Sequence, residues 1–244
     1  MSDGFEDDSL ALRNYLFISI NTDGTTFEMH GLVQLATRTW LEAHGQQERW
    51  KQQFVKNLYA EFPTGEYENW VRCQALFPHA QSAAAQLPEQ QDSLRDWASI
   101  LCKAAWYAWR MGNGVEAEKM SVQAMKVRKR ILGRDHYDTL YSMVMVGLAY
   151  MLRGLWDDAE ELQMQVMETS KKKLGADHPS TLTSMNNLAF TWKETGRETG
   201  AISLMEECVQ SPKRVLGLDH PHTLSSCRAL AAWKAEQEDV VLSV

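Results

Sequence analysis

Residues 174–179 read Leu174-Gly175-Ala176-Asp177-His178-Pro179, and Thr181-Leu182 follows. The same stretch stands at Leu132-Gly133-Arg134-Asp135-His136, before Thr139-Leu140. It stands again at Leu216-Gly217-Leu218-Asp219-His220-Pro221, before Thr223-Leu224. Gly133, Gly175 and Gly217 are each 42 residues apart. Gly112, Gly154 and Gly196 keep that spacing, and so do Ala117, Ala159 and Ala201. Several positions recurring in one register mark a stack of supersecondary units, each burying its apolar face on its neighbours.

Each recurring residue has a physical role. Gly133, Gly175 and Gly217 follow helical stretches and suit the left-handed position that ends a helix. Asp177 and Asp219 offer acceptors near the next helix start, and Pro179 and Pro221 suit its first turn. Gly112, Gly154 and Gly196 suit the tight turn inside each hairpin. Ala117, Ala159 and Ala201 suit the closest approach of its two helices. The spacing predicts first helices over 94–111, 138–152 and 180–195, and second helices over 115–132, 157–174 and 198–216. A last helix covers 222–237. Met143, Val146, Gly147 and Tyr150 recur at i, i+3, i+4, i+7, and Met185, Leu188, Ala189 and Trp192 repeat that buried face. Pro212 falls inside the third of the second helices, so a kink or break is expected between Cys208 and Pro212.

Thr181-Leu182-Thr183-Ser184-Met185-Asn186-Asn187-Leu188-Ala189, with Gly196 and Leu216 to Pro221, resembles a tetratricopeptide repeat (TPR) of the kinesin-light-chain type. The resemblance covers 94–237. It implies an all-α, TPR-type helical-hairpin solenoid whose first helices line a concave groove. The implied groove residues are Ser99, Cys102, Trp106, Trp109 and Arg110 in the first copy. In the second they are Tyr141, Val144, Leu148 and Met151; in the third, Thr183, Asn186, Phe190 and Lys193. Family members hold a ligand's backbone with the second Asn of the pair, here Asn187; Lys103, Met145 and Ala229 stand at its equivalents. The second copy's groove is apolar, which favours an apolar or amphipathic partner segment. The cluster Trp97, Trp106, Tyr107 and Trp109 reads first as packing of the first hairpin.

Residues 1–90 lack the repeat. Leu16 to Ile20 is a β-rich run, Thr22-Asp23-Gly24-Thr25 a hairpin turn signal, and Thr26 to Met29 a return strand. A helix with Leu32, Val33, Leu35, Ala36, Trp40 and Leu41 follows. This order suggests a small winged-helix-like α/β unit over 1–45, then a degenerate helical hairpin over 46–90, ahead of the repeats and a tail at 238–244. Phe27 to Ala36 resembles the segment that joins the nucleotide-binding part of fungal NB-ARC (NLR-like, STAND) proteins to their repeats. That resemblance implies an NTPase lying upstream on a longer protein or lost. No GxxxxGK[ST] phosphate loop occurs in the sequence.

The composition narrows the function. An apolar fraction of 44% supports a packed core rather than disorder. A formal charge of -7 is poorly suited to phosphate backbones, so no nucleic-acid partner is expected. The longest uncharged apolar run, Leu140 to Leu152, is shorter than the about 20 residues a bilayer needs, so no membrane partner is expected either. Cys73, Cys102, Cys208 and Cys227 stand apart with no CxxC pair, as in a reduced, cytoplasmic protein. The three Asp-His pairs are about 10 Å apart when hairpins stack. That is too far to share a metal whose Zn–N bonds are about 2.1 Å, so cap and turn roles are preferred. No catalytic residue, metal or cofactor is expected. The expected function is a non-enzymatic scaffold binding a protein or peptide on the concave surface. The alternative is the sensor or oligomerisation tail of a STAND NTPase.

Overall fold

The computed structural model describes residues 10, 12–21, 27–215 and 221–242, the side chains of 211–215, 221–224 and 238–242 excepted. The chain divides into two compact units, Met1–Phe54 and Val55–Val244.

In the first unit, β1 (Ile18–Ile20) pairs antiparallel with β2 (Phe27–Met29), with Ile18 opposite Met29 and Ile20 opposite Phe27. The expected turn at Thr22 to Thr25 lies outside the described residues. Helix α1 (Gly31–Ala43) follows, capped by His30, whose Nδ1 accepts from the Leu32 N–H at 3.2 Å. The helix has no buried residue, and Leu32, Leu35 and Trp40 stay exposed. Helix α2 (Gln47–Glu61) crosses the division between the units.

The second unit is helical. It contains the end of α2, then α3 (Trp70–Ala84), α4 (Gln91–Arg110), α5 (Gly114–Leu132) and α6 (Tyr137–Leu152). After these come α7 (Trp156–Leu174), α8 (Pro179–Glu194), α9 (Glu198–Val215) and α10 (Pro221–Leu242). Among the described residues of 94–237 there is no strand. From α3 onward consecutive helices pack on one another, and first helices also meet, α4 on α6 and α6 on α8. That is the stacking the 42-residue period predicts. No described helix is long and apolar enough to cross a membrane.

The recurring residues sit where packing and backbone demand them. Ala117, Ala159 and Ala201 are fully buried. Gly154, in the turn between α6 and α7, has φ 71°, in the left-handed region. Gly175 ends α7 with φ 99° and ψ 162°, a conformation that glycine adopts and other residues strain to reach. Gly217 lies outside the described residues. The recurring threonines close the same turns. Thr139 Oγ1 donates to the Gly133 carbonyl and Thr181 Oγ1 to the Gly175 carbonyl, each at 2.8 Å.

Three expectations are corrected. The cap acceptor of α6 and α8 is the histidine, not the aspartate. His136 Nδ1 accepts from the Asp138 N–H and His178 Nδ1 from the Ser180 N–H, each at 3.2 Å. The histidine holds the N-cap position, and the aspartate lies one residue too early to reach those donors. Asp135 instead pairs with Lys173 of the next hairpin at 3.3 Å. The break expected at Pro212 is absent, since α9 continues to Val215. The helix is held by buried Ala201, Met205, Cys208 and Val209, and this packing outweighs one lost backbone bond. Helix α10 runs to Leu242, so it takes in most of the segment expected as a tail.

Polar ties lock neighbouring hairpins. Glu118 pairs with Arg153, and 42 residues on Glu160 pairs with Arg197. Glu160 also accepts from Trp192 Nε1 at 3.0 Å. Buried Gln163 spans two first helices. Its Oε1 accepts from Thr191 Oγ1 at 2.7 Å on α8, and its side chain lies where a Cβ at Gly147 of α6 would come within 3.2 Å.

Candidate functional site

The first helices α4, α6 and α8 present the same four positions, 42 residues apart. They are Ser99, Tyr141 and Thr183; Cys102, Val144 and Asn186; Trp106, Leu148 and Phe190; and Trp109, Met151 and Lys193. Of these twelve only Cys102 is buried. Tyr141 is 40% exposed, and Val144, Leu148 and Met151 are half-buried, so α6 keeps an apolar row in reach of solvent. Asn187 is half-buried, and its amide makes no hydrogen bond to another described residue. Its equivalent Met145 is core, at 1% exposure.

The chain itself covers both ends of this face. At the first hairpin, Trp106 and Trp109 stack with ring centroids 5.1 Å apart. The segment after α2 lies against Trp106: a Cβ at Gly65 would clash with Trp106 Cδ1 and stand 2.9 Å from the Tyr107 nitrogen. Only glycine fits so close a backbone approach. Lys103 Nζ donates to the Phe62 carbonyl at 2.8 Å, and Trp70 Nε1 to the Gly65 carbonyl at 3.1 Å. Arg110 lies over the Trp70 ring at 5.9 Å. Trp97 and Tyr107 are core, and Trp97 Nε1 donates to the Ala83 carbonyl at 2.7 Å.

At the third hairpin the last helix does the covering. Phe190 meets Trp233 edge to face at 5.1 Å. Asn186 Oδ1 accepts from Ser226 Oγ at 3.0 Å. Lys193 pairs with Glu236 at 2.8 Å and Glu198 at 3.0 Å. None of these contacts involves Tyr141, Val144, Leu148 or Met151 on α6.

Beneath the seam between the first and second hairpins lies Arg128 of α5, 6% exposed. Its Nη1 contacts the Asp138 carbonyl and Ser142 Oγ at 2.9 Å each, and Cys102 Sγ at 3.3 Å. Its Nη2 donates to Ser99 Oγ at 3.0 Å. Burial pushes the Tyr141 phenol up to about 12, with Cys102, Tyr137 and Glu66 acting in the same direction and Arg128 opposing them. Burial also pushes up the thiols of Cys73, Cys102 and Cys208. Arg128 was not among the residues singled out from the sequence. Its signal was present: Ala117, Met120, Ser121, Ala124 and Val127 form the buried stripe of α5, and position 128 continues it with a charge.

The chain is similar to known repeat proteins in sequence and fold. The family model described as tetratricopeptide repeat matches residues 97–138, 139–180 and 181–222. A nucleotide-binding leucine-rich repeat (NLR)-like protein of Hyaloscypha variabilis is 37% identical over 135 residues, which is 54% of this chain and 13% of that protein. The chain therefore spans a small part of that relative's length. A crystal structure of nearly identical TPR-like repeats from Podosopora anserina superposes with a TM-score of 0.57 at 22% identity. That match covers 78% of this chain and 86% of the other. The apo form of RapI superposes with a TM-score of 0.59 at 15% identity, covering 75% of this chain and 65% of that one. At these identities the two structures speak for the fold. With three consecutive 42-residue matches across its stacked hairpins, the chain belongs to the tetratricopeptide-repeat family.

Proposed function

We propose that this chain is a non-enzymatic scaffold that binds a segment of a partner protein on the concave surface formed by α4, α6 and α8. The observation that carries the reading is the row Tyr141, Val144, Leu148 and Met151, apolar and in part open to solvent on a rigid helix. Such a row suits an apolar or amphipathic segment laid across the groove, with half-buried Asn187 able to hold its backbone. Trp106, Trp109, Asn186, Phe190 and Lys193 flank that footprint and orient its edges. The raised thiols of Cys73, Cys102 and Cys208 make poor nucleophiles, in keeping with a binding role. A charge of -7 favours a protein over a nucleic acid as the partner. Cytoplasmic placement fits the four unpaired cysteines.

The test is affinity capture with the wild-type chain, Leu148→Asp and Met164→Asp. Leu148→Asp places a charge in the apolar row, whereas Met164 is exposed on α7, outside it. The reading expects the captured protein to be lost with Leu148→Asp and kept with Met164→Asp. Equal capture by all three contradicts it.

A second reading is favoured by the Hyaloscypha relative. In it, this chain is the sensor or oligomerisation tail of a nucleotide-binding STAND protein, with the winged-helix-like unit joining the two. The division into a winged-helix-like unit, a degenerate hairpin and the repeats belongs to that proposal. Sequencing the full transcript tests it: a phosphate loop in frame upstream of Met1 is the expected result.

A further inference from the structure

We propose that Arg128 is the floor of a subsite for one acidic side chain of the bound segment, with Tyr141 and Ser99 at its mouth. The inference rests on the groove reading and deepens it, by naming the chemistry of one partner residue.

A guanidinium removed from water is ordinarily matched by a carboxylate. Arg128 is 6% exposed, yet no carboxylate among the described residues lies within ion-pair distance of it. Its acceptors are neutral: two serine hydroxyls, a thiol and a backbone carbonyl. The Nε–H donates to no described residue. The nearest carboxylates act only through space. Glu66 is felt at Tyr141 and Asp138 at Cys102, and Asp138 is turned toward His136 at 3.7 Å.

The position of the charge points to the groove. Arg128 belongs to a second helix, but all four acceptors lie on first helices, Ser99 and Cys102 on α4, Asp138 and Ser142 on α6. Ser99 and Tyr141 hold the same place in successive hairpins, so the guanidinium lies under the seam between them. Tyr141 is part exposed and its phenol stays protonated, so it offers an O–H to an anion. Ser99 is likewise half-buried. An acid arriving from the groove meets Tyr141 and Ser99 first and the buried charge behind them. Charge-assisted hydrogen bonds of this kind are the stronger ones.

The subsite is single. Ser170 stands 42 residues after Arg128, and its buried hydroxyl has no hydrogen-bond partner. The position equivalent to Arg128 at the second seam therefore carries no charge, and Val144 and Leu148 of α6 are apolar. The preferred segment carries one Asp or Glu at the first seam and apolar residues beyond it, not a run of acids.

The experiment selects a random-peptide phage library on the intact chain. Enriched peptides are synthesised with Asp or Glu, and with the matching Asn or Gln. The proposal expects an acid at a fixed position and about tenfold or more weaker binding for the amide. It expects Tyr141→Phe and Arg128→Lys to shrink that acid-to-amide ratio. Tyr141→Phe keeps the test intact should Arg128→Lys unfold. Enriched peptides whose amide forms bind equally well overturn the proposal and leave the groove reading standing. Acid-selective peptides whose binding is untouched by Leu148→Asp sink the groove reading instead. A library yielding no enriched peptide contradicts both.

Discussion

Thr181 Oγ1 donates to the Gly175 carbonyl at 2.8 Å, and this bond closes the turn between α7 and α8. Thr139 repeats it one hairpin earlier, on Gly133. Thr181 is fully buried, so removing its hydroxyl leaves the carbonyl without that donor. Thr181→Val is expected to destabilise the chain by about 1–2 kcal/mol, and Thr181→Ser by less. Urea unfolding of both variants checks this; equal midpoints for wild type and Thr181→Val would contradict it.

Gly175→Ala isolates the backbone contribution at the same turn. An added Cβ meets nothing within 4 Å, so no clash arises, but φ stays at 99°. The strain is expected to cost about 1–3 kcal/mol. A variant as stable as wild type would show that the turn relaxes freely.

The turn also shows what the sequence reveals and what it leaves hidden. The period, the hairpins and the glycine at the turn follow from positions recurring every 42 residues. So does the buried alanine, because one residue type at one register implies one structural demand. The roles inside the turn are less legible. His136 and Asp135 both carry acceptors, and only the chain path decides which of them caps α6. The groove is legible as a register but not as a surface. Phe190 and Lys193 share their positions with Leu148 and Met151, yet Trp233 and Glu236 cover them from a helix 40 or so residues away. Arg128 was concealed because a charge in a buried stripe takes its meaning from its neighbours' atoms.

Ala159 of α7 is fully buried, at the register expected for the contact between α6 and α7. Ala159→Trp overpacks that contact and is expected to cost about 1–3 kcal/mol or more. A melting temperature equal to wild type would place residue 159 away from the contact.

Alkali should destabilise the fold. Burial pushes Cys208 from 9.0 up to about 11 and Tyr141 from 10.0 up to about 12. Both groups keep their protons longer when folded, so the unfolded chain binds fewer protons once the pH passes 9. Stability is then fully present below about pH 9 and falls as the pH rises toward 12. Urea midpoints measured from pH 8 to 11 should decline, and Cys208→Ala should flatten the lower part of that decline. A midpoint that rises with pH would reverse the sign of this linkage.

The central claim is that a partner lies on α6 across Leu148. Site-specific photo-crosslinking tests it most directly. A benzophenone amino acid is placed at Leu148 in one chain and at exposed Lys126, on the second helix α5, in another. Both are irradiated in lysate from the native host, and the adducts are identified by mass spectrometry. The account predicts one partner protein attached through position 148 and absent from the position 126 adducts. Adducts formed at 126 alone, or the same partner in equal yield at both positions, would contradict it.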